Sequence, residues 1–103
     1  MSEYIIAYLG GKKPDTPEQG AEHMAKWKAW LGGLGDAVVN PGTPLGASVI
    51  INSEGVSEDV RSDRLTGFSV VKAESLDAAV AIAKECPFLE MGTLEVAEIM
   101  QMS

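Results

Sequence analysis

His23 is the only histidine of this chain, and the only side chain here whose unperturbed proton affinity falls near neutral pH. It lies in a helical pattern, and at about 100° per residue it falls within about 40° of Trp27 and Trp30. It therefore borders an apolar face. An imidazole so placed either satisfies one ring nitrogen on the backbone or acts as a general acid or base at the edge of a pocket. Trp27 and Trp30, three residues apart, either pack a core and an interface or form an aromatic wall for a flat organic ligand. Glu95 shares one strand face with Thr93, Ala97 and Ile99, and a carboxylate there needs a partner or water. It faces solvent or an ion pair between subunits, or it lines a cavity between two sheets and orients a bound polar group.

Other chemistries find no support. Cys86 is the only cysteine and is followed by Pro87 at the end of a helical pattern. The negative end of a helix dipole raises a thiol pKa, so a structural role is expected. With no CxxC, no HExxH and no second histidine, a metal site of nitrogen and sulfur ligands is not expected, and no cofactor motif appears. Gly10-Gly11-Lys12-Lys13 lacks the spacing of a phosphate loop. No nucleophile elbow accompanies His23 to make a serine triad.

The elements that must position these groups follow from punctuation and period. Glu3 to Leu9 is a strand apolar on both faces, with Tyr4, Ile6 and Tyr8 on one side and Ile5, Ala7 and Leu9 on the other. Thr16-Pro17-Glu18-Gln19 has the spacing of a capping box with proline at the first helical position. The helix that follows carries Met24, Trp27, Leu31 and Leu34 on one face and ends in Gly32-Gly33-Leu34-Gly35. Ala37 to Val39 reads as a short strand and Asn40-Pro41-Gly42-Thr43-Pro44 as a turn cluster. Ala47 to Ile51 and Val56 to Val60 flank a turn at Asn52-Ser53-Glu54-Gly55 and form a hairpin-like insertion, spanning about 45–62. Gly67 to Ala73 is a strand. Ser75 caps a helix running to Cys86 with Leu76, Ala79, Val80, Ala83 and Cys86 on its packing face, and Thr93 to Ile99 is the last strand.

The order is strand, helix, strand, insertion, strand, helix, strand in one domain of 103 residues. Two β-α-β halves give an α+β, ferredoxin-like split arrangement, an antiparallel sheet with both helices on one face. The other face of the sheet stays apolar and uncovered, so a homodimer packing sheet against sheet is expected. The formal charge of −7 repels nucleic acid and anionic lipid surfaces. No apolar run approaches membrane-spanning length, the first residues lack the features of a signal peptide, and one cysteine forms no internal disulfide, so a cytoplasmic location is expected.

Several stretches resemble a known family. They are Tyr4-Ile5-Ile6-Ala7-Tyr8, His23 in the first helix, Gly67-Phe68-Ser69-Val70-Val71, Glu74-Ser75-Leu76-Asp77-Ala78-Ala79, Ala83-Lys84-Glu85-Cys86-Pro87 and Gly92-Thr93-Leu94-Glu95-Val96. Together they are similar to the YCII-related family, and more closely to its DGPF-type branch. The resemblance implies a ferredoxin-like domain that dimerises through its sheets, in the dimeric α/β barrel group. It also implies a cleft in which a first-helix histidine pairs with an aspartate. His23 matches the histidine, and Asp36, just after the helix, is the nearest aspartate by sequence. Cys86 stands where a carboxylate often precedes the Pro-aromatic pair, and Val60-Arg61-Ser62-Asp63-Arg64-Leu65 stands in place of the DGPF run.

Two functional readings remain. The first is a cofactor-independent small-molecule enzyme of isomerase or lyase type. In it His23 moves a proton in a dimer cleft, Asp36 or Glu95 orients it or the substrate, and Trp27 and Trp30 line the site. The second is a non-catalytic dimeric domain that binds a small ligand or serves as an accessory module.

Overall fold

A computed structural model gives the fold and describes residues 1–11, 15–57 and 64–100. The first strand, β1 (Ser2–Leu9), is followed by α1 (Pro17–Leu34), a 3-10 turn over Gly35–Ala37, and β2 (Val38–Pro44). A small hairpin, β3 (Ile50–Asn52) and β4 (Gly55–Ser57), leads to β5 (Leu65–Ala73). Then come α2 (Leu76–Lys84), a second 3-10 turn over Pro87–Glu90, and β6 (Thr93–Glu98). The main sheet has the order β2-β5-β1-β6 with every neighbouring pair antiparallel, so the two β-α-β halves interlock in the split ferredoxin-like manner.

Register explains which side chains share a face. Tyr4, Ile6 and Tyr8 stand opposite Val71, Ser69 and Gly67 on β5 and opposite Glu98, Val96 and Leu94 on β6. This is the helix-covered face. Tyr4, Ile6, Tyr8, Val71 and Ala73 form the core with Ala79 and Ala83 of α2 and with Cys86 and Phe88. The small alanines let α2 lie close to the sheet. The opposite face carries Ile5, Ala7 and Leu9 beside Val70 and Phe68, all half-buried, and neither helix covers it.

Local chemistry fixes the helix ends. Thr16 Oγ1 accepts from the Gln19 amide at 3.2 Å, and Gln19 Oε1 accepts from the Asp15 amide at 2.9 Å. Ser75 caps α2 by accepting from the Ala78 amide at 3.1 Å. The helix stops at Lys84, two residues before the expected Cys86. Pro87 holds Cys86 in an extended conformation, and the Glu85 and Cys86 amides close back on Ile82 and Ala83 instead.

Further expectations change. The cluster from Asn40 to Pro44 is not a turn after a short strand but the continuation of β2, pairing with β5 through two irregularities. Proline is tolerated because β2 is an edge strand. Asn40 Oδ1 accepts from the Gly42 amide at 2.8 Å, and Gly42 takes φ +81° to let the chain bulge. The face of α1 expected to be core contains no fully buried residue; Met24 is 43% exposed. Trp30 and Leu34 pack against the core as partly buried residues, and the Trp30 indole reaches α2. The first hairpin strand begins at Ile50 rather than Ala47, and the apolar Val49, Ile51 and Val56 are more than half exposed. Val60 to Asp63, most of the segment in place of the DGPF run, lie outside the described residues.

Candidate active site

A cavity of about 180 Å³ opens between α1 and the end of the sheet where β2 runs out and β5 begins. One turn of α1 contributes His23, Met24 and Trp27. Tyr8 and Phe88 form its aromatic floor, with ring centroids 5.1 Å apart and planes tilted by 36°. Thr43, Pro44, Thr66 and Met91 complete it. Two other depressions are larger, about 340 Å³ at the strand ends around Glu3 and Glu98 and about 290 Å³ between α2 and β6. Among the described residues, neither is lined by a side chain whose ordinary pKa lies near neutrality. Chemistry rather than size therefore singles out the cavity at His23.

The floor is held by a directional chain of hydrogen bonds. Ser69, fully buried, donates to the Pro41 carbonyl at 2.7 Å. A carbonyl only accepts, so the single Ser69 hydrogen is used there. The 2.6 Å contact between Tyr8 and Ser69 must then be a donation by the phenol. The Trp27 indole N–H in turn donates to the Tyr8 oxygen at 3.2 Å. The chain Trp27→Tyr8→Ser69→Pro41 thus crosses from α1 through β1 and β5 to β2.

Burial pushes the Tyr8 phenol above its ordinary pKa, outweighing the hydrogen-bond contacts with Ser69 and Trp27, which act to lower it. Burial likewise pushes the Cys86 thiol up, outweighing the Phe88 amide and the Tyr8 hydroxyl, which act to lower it. Cys86 is thus a buried, proton-holding group, and burial, not the helix end, is the main cause. Neither group supplies a proton carrier near neutrality, which leaves the imidazole of His23. That imidazole is half-buried and, among the described residues, has no hydrogen-bond or ion-pair partner. Unencumbered nitrogens beside an aromatic, apolar surface suit proton transfer to or from a small ring compound.

The five residues singled out by sequence separate. His23 and Trp27 line the cavity together. Trp30 does not reach it: its indole N–H donates to the Ile82 carbonyl at 3.2 Å and ties α1 to α2. Asp36 is exposed in the turn beyond α1, about 20 Å along the helix from His23 at the usual rise per residue. Within one protomer it is not a partner for the imidazole. Glu95 stands opposite Ala7 on the uncovered face, across the sheet from the cavity. Tyr8, Ser69 and Thr66 escaped notice as site residues. The only signal was polarity at positions that alternation assigns to the covered face, which marks Ser69 between Val71 and Gly67. Among the described residues, no three metal-ligating side chains come together.

Residues 5–103 match the YCII-related domain along almost the whole chain. The chain belongs to the YCII-related family. No curated protein sequence matches it. Among solved structures, this YCII-related domain is similar to the 5-chloro-2-hydroxyhydroquinone dehydrochlorinase TftG from Burkholderia phenoliruptrix, solved in complex with 2,5-dihydroxybenzoquinone. The TM-score is 0.60 at 20% sequence identity, over 95% of this chain and 93% of the other. At that identity the likeness establishes the shared fold, and it agrees with the antiparallel sheet and two helices described above.

Proposed function

We propose that this YCII-related domain is a cofactor-independent enzyme acting on a small ring compound by proton transfer, of isomerase or lyase type, with His23 as acid and base. The observation that carries this reading is the cavity in which the chain's one imidazole meets the rings of Tyr8, Trp27 and Phe88. A dry cavity of 150 Å³ suffices for benzene, so about 180 Å³ suits one six-membered ring with small substituents. The ring ligand named for the dehydrochlorinase structure is of this size class, which supports the choice of substrate.

In this mechanism Trp27 and Phe88 hold the ring flat and exclude water, and His23 removes a proton next to a ring carbonyl and returns it elsewhere. Trp27 is kept in place by Tyr8. The uncovered sheet face, with Ile5, Ala7, Val70 and Phe68, packs against the same face of a second copy to give a homodimer.

The test is proton exchange. Cyclic hydroxy-ketones and small lactones are incubated in deuterated water with the protein, and label at the carbon next to the carbonyl is followed by NMR. Exchange faster than buffer that disappears in His23→Gln is expected. Exchange unchanged by that substitution, or none with any ring compound that binds, overturns the enzymatic reading. Binding without exchange would identify a non-catalytic ligand-binding dimer.

A further inference from the structure

β5 does not run straight past the cavity. Tyr8 pairs with Gly67 and Leu9 with Leu65, so Thr66 is an extra residue in a bulge at the point where the cavity opens. A bulge re-aims the side chain it carries. Here it brings the Thr66 hydroxyl 3.1 Å from the Tyr8 carbonyl and 3.1 Å from the Gly10 carbonyl. Both are acceptors only. The one hydroxyl hydrogen is shared between them, and both lone pairs of Oγ1 stay unused by these contacts.

We propose that Thr66 is the specificity-determining residue of this cavity, an acceptor that selects a ring bearing a hydroxyl donor over one bearing an ether. The inference rests on the reading that the cavity holds a small ring compound. The Tyr8 hydroxyl donates to Ser69 and accepts from Trp27, so it offers no hydrogen to a ligand. For Thr66 to turn and donate to an ether oxygen, it would leave the Tyr8 and Gly10 carbonyls without its hydrogen. A phenolic hydroxyl meets no such opposition.

Phenol and anisole have the same ring and test this directly, with affinities read from NMR titrations of the His23 ring signals and the Trp27 indole N–H. In the unmodified protein phenol is expected to bind about tenfold more tightly than anisole, the worth of one hydrogen bond in an apolar site. Thr66→Ser should keep the preference and Thr66→Val abolish it. Equal binding of phenol and anisole by the unmodified protein overturns the inference without recourse to a variant. So does a preference that survives in folded Thr66→Val. If neither compound shifts His23 or Trp27, the cavity does not hold a ring and the functional reading fails with it. Binding with the wrong order of preference refutes only the role of Thr66.

Discussion

Replacing Tyr8 by phenylalanine removes one oxygen and leaves every ring contact in place, so it isolates the chain of hydrogen bonds beneath the cavity. Two bonds are lost. The half-buried Trp27 indole loses its acceptor at 3.2 Å, and the fully buried Ser69 loses its donor at 2.6 Å while keeping its own donation to Pro41. At about 1 kcal/mol of net stability per bond, Tyr8→Phe should cost about 2 kcal/mol. In a domain of this size that lowers the melting midpoint by about 10 °C. Ser69→Ala breaks the same Tyr8 bond and also strands the Pro41 carbonyl. The double variant should therefore cost less than the sum of the singles, by about 1 kcal/mol for the bond counted twice. Urea unfolding of the four proteins measures all three quantities. A cost below about 0.5 kcal/mol for Tyr8→Phe, or strict additivity with Ser69→Ala, would refute the directional chain and with it the claim that Trp27 is held from below.

Alkaline pH should destabilise the fold. Tyr8 and Cys86 both keep their protons more tightly when folded than when unfolded, so their contribution is complete below the unfolded values and is lost as pH rises through the folded ones. Urea midpoints should fall from about pH 8.5 upward, and Cys86→Ala with Tyr8→Phe should flatten that slope; a midpoint rising with pH would contradict it. Gly42→Ala should cost several kcal/mol or prevent folding, because a Cβ there would lie 1.5 Å from the Phe68 carbonyl oxygen at φ +81°; circular dichroism showing a normal sheet and midpoint would disprove the close approach of β2 to β5. Phe68→Asp, on the uncovered face, should halve the mass that the proposed homodimer shows by analytical ultracentrifugation while leaving the monomer folded, and an unchanged mass would contradict pairing through this face.

The strands and helices were legible because each announces itself locally. Thr16-Pro17 and Ser75 mark helix starts, and the alternation of Tyr4 to Leu9 gives both faces of the central strand. What could not be read is set by distant partners. Asn40 to Pro44 looks like a turn because its residues are turn-formers, yet pairing with β5 holds it in the sheet. The site was half visible. His23 and Trp27 share a helix face, and spacing alone puts them together. Trp30 shares that face too, but its N–H finds the Ile82 carbonyl on α2, which no spacing reveals. Asp36 is close in sequence and far along a rigid helix, and Glu95 is kept across the sheet by its register with Ala7. Thr66 depends on a bulge, and a bulge appears only when two strands are laid side by side.

The account's central claim is that the cavity beside His23 binds a small ring, and an NMR titration with phenol tests it most directly. One histidine gives one set of imidazole signals, and two tryptophans give two indole N–H signals. The His23 ring and the Trp27 N–H should shift together and saturate at the same concentration, while Trp30, bonded to Ile82 away from the cavity, stays still. Movement of Trp30 alone, or no saturable shift at His23, would contradict the claim.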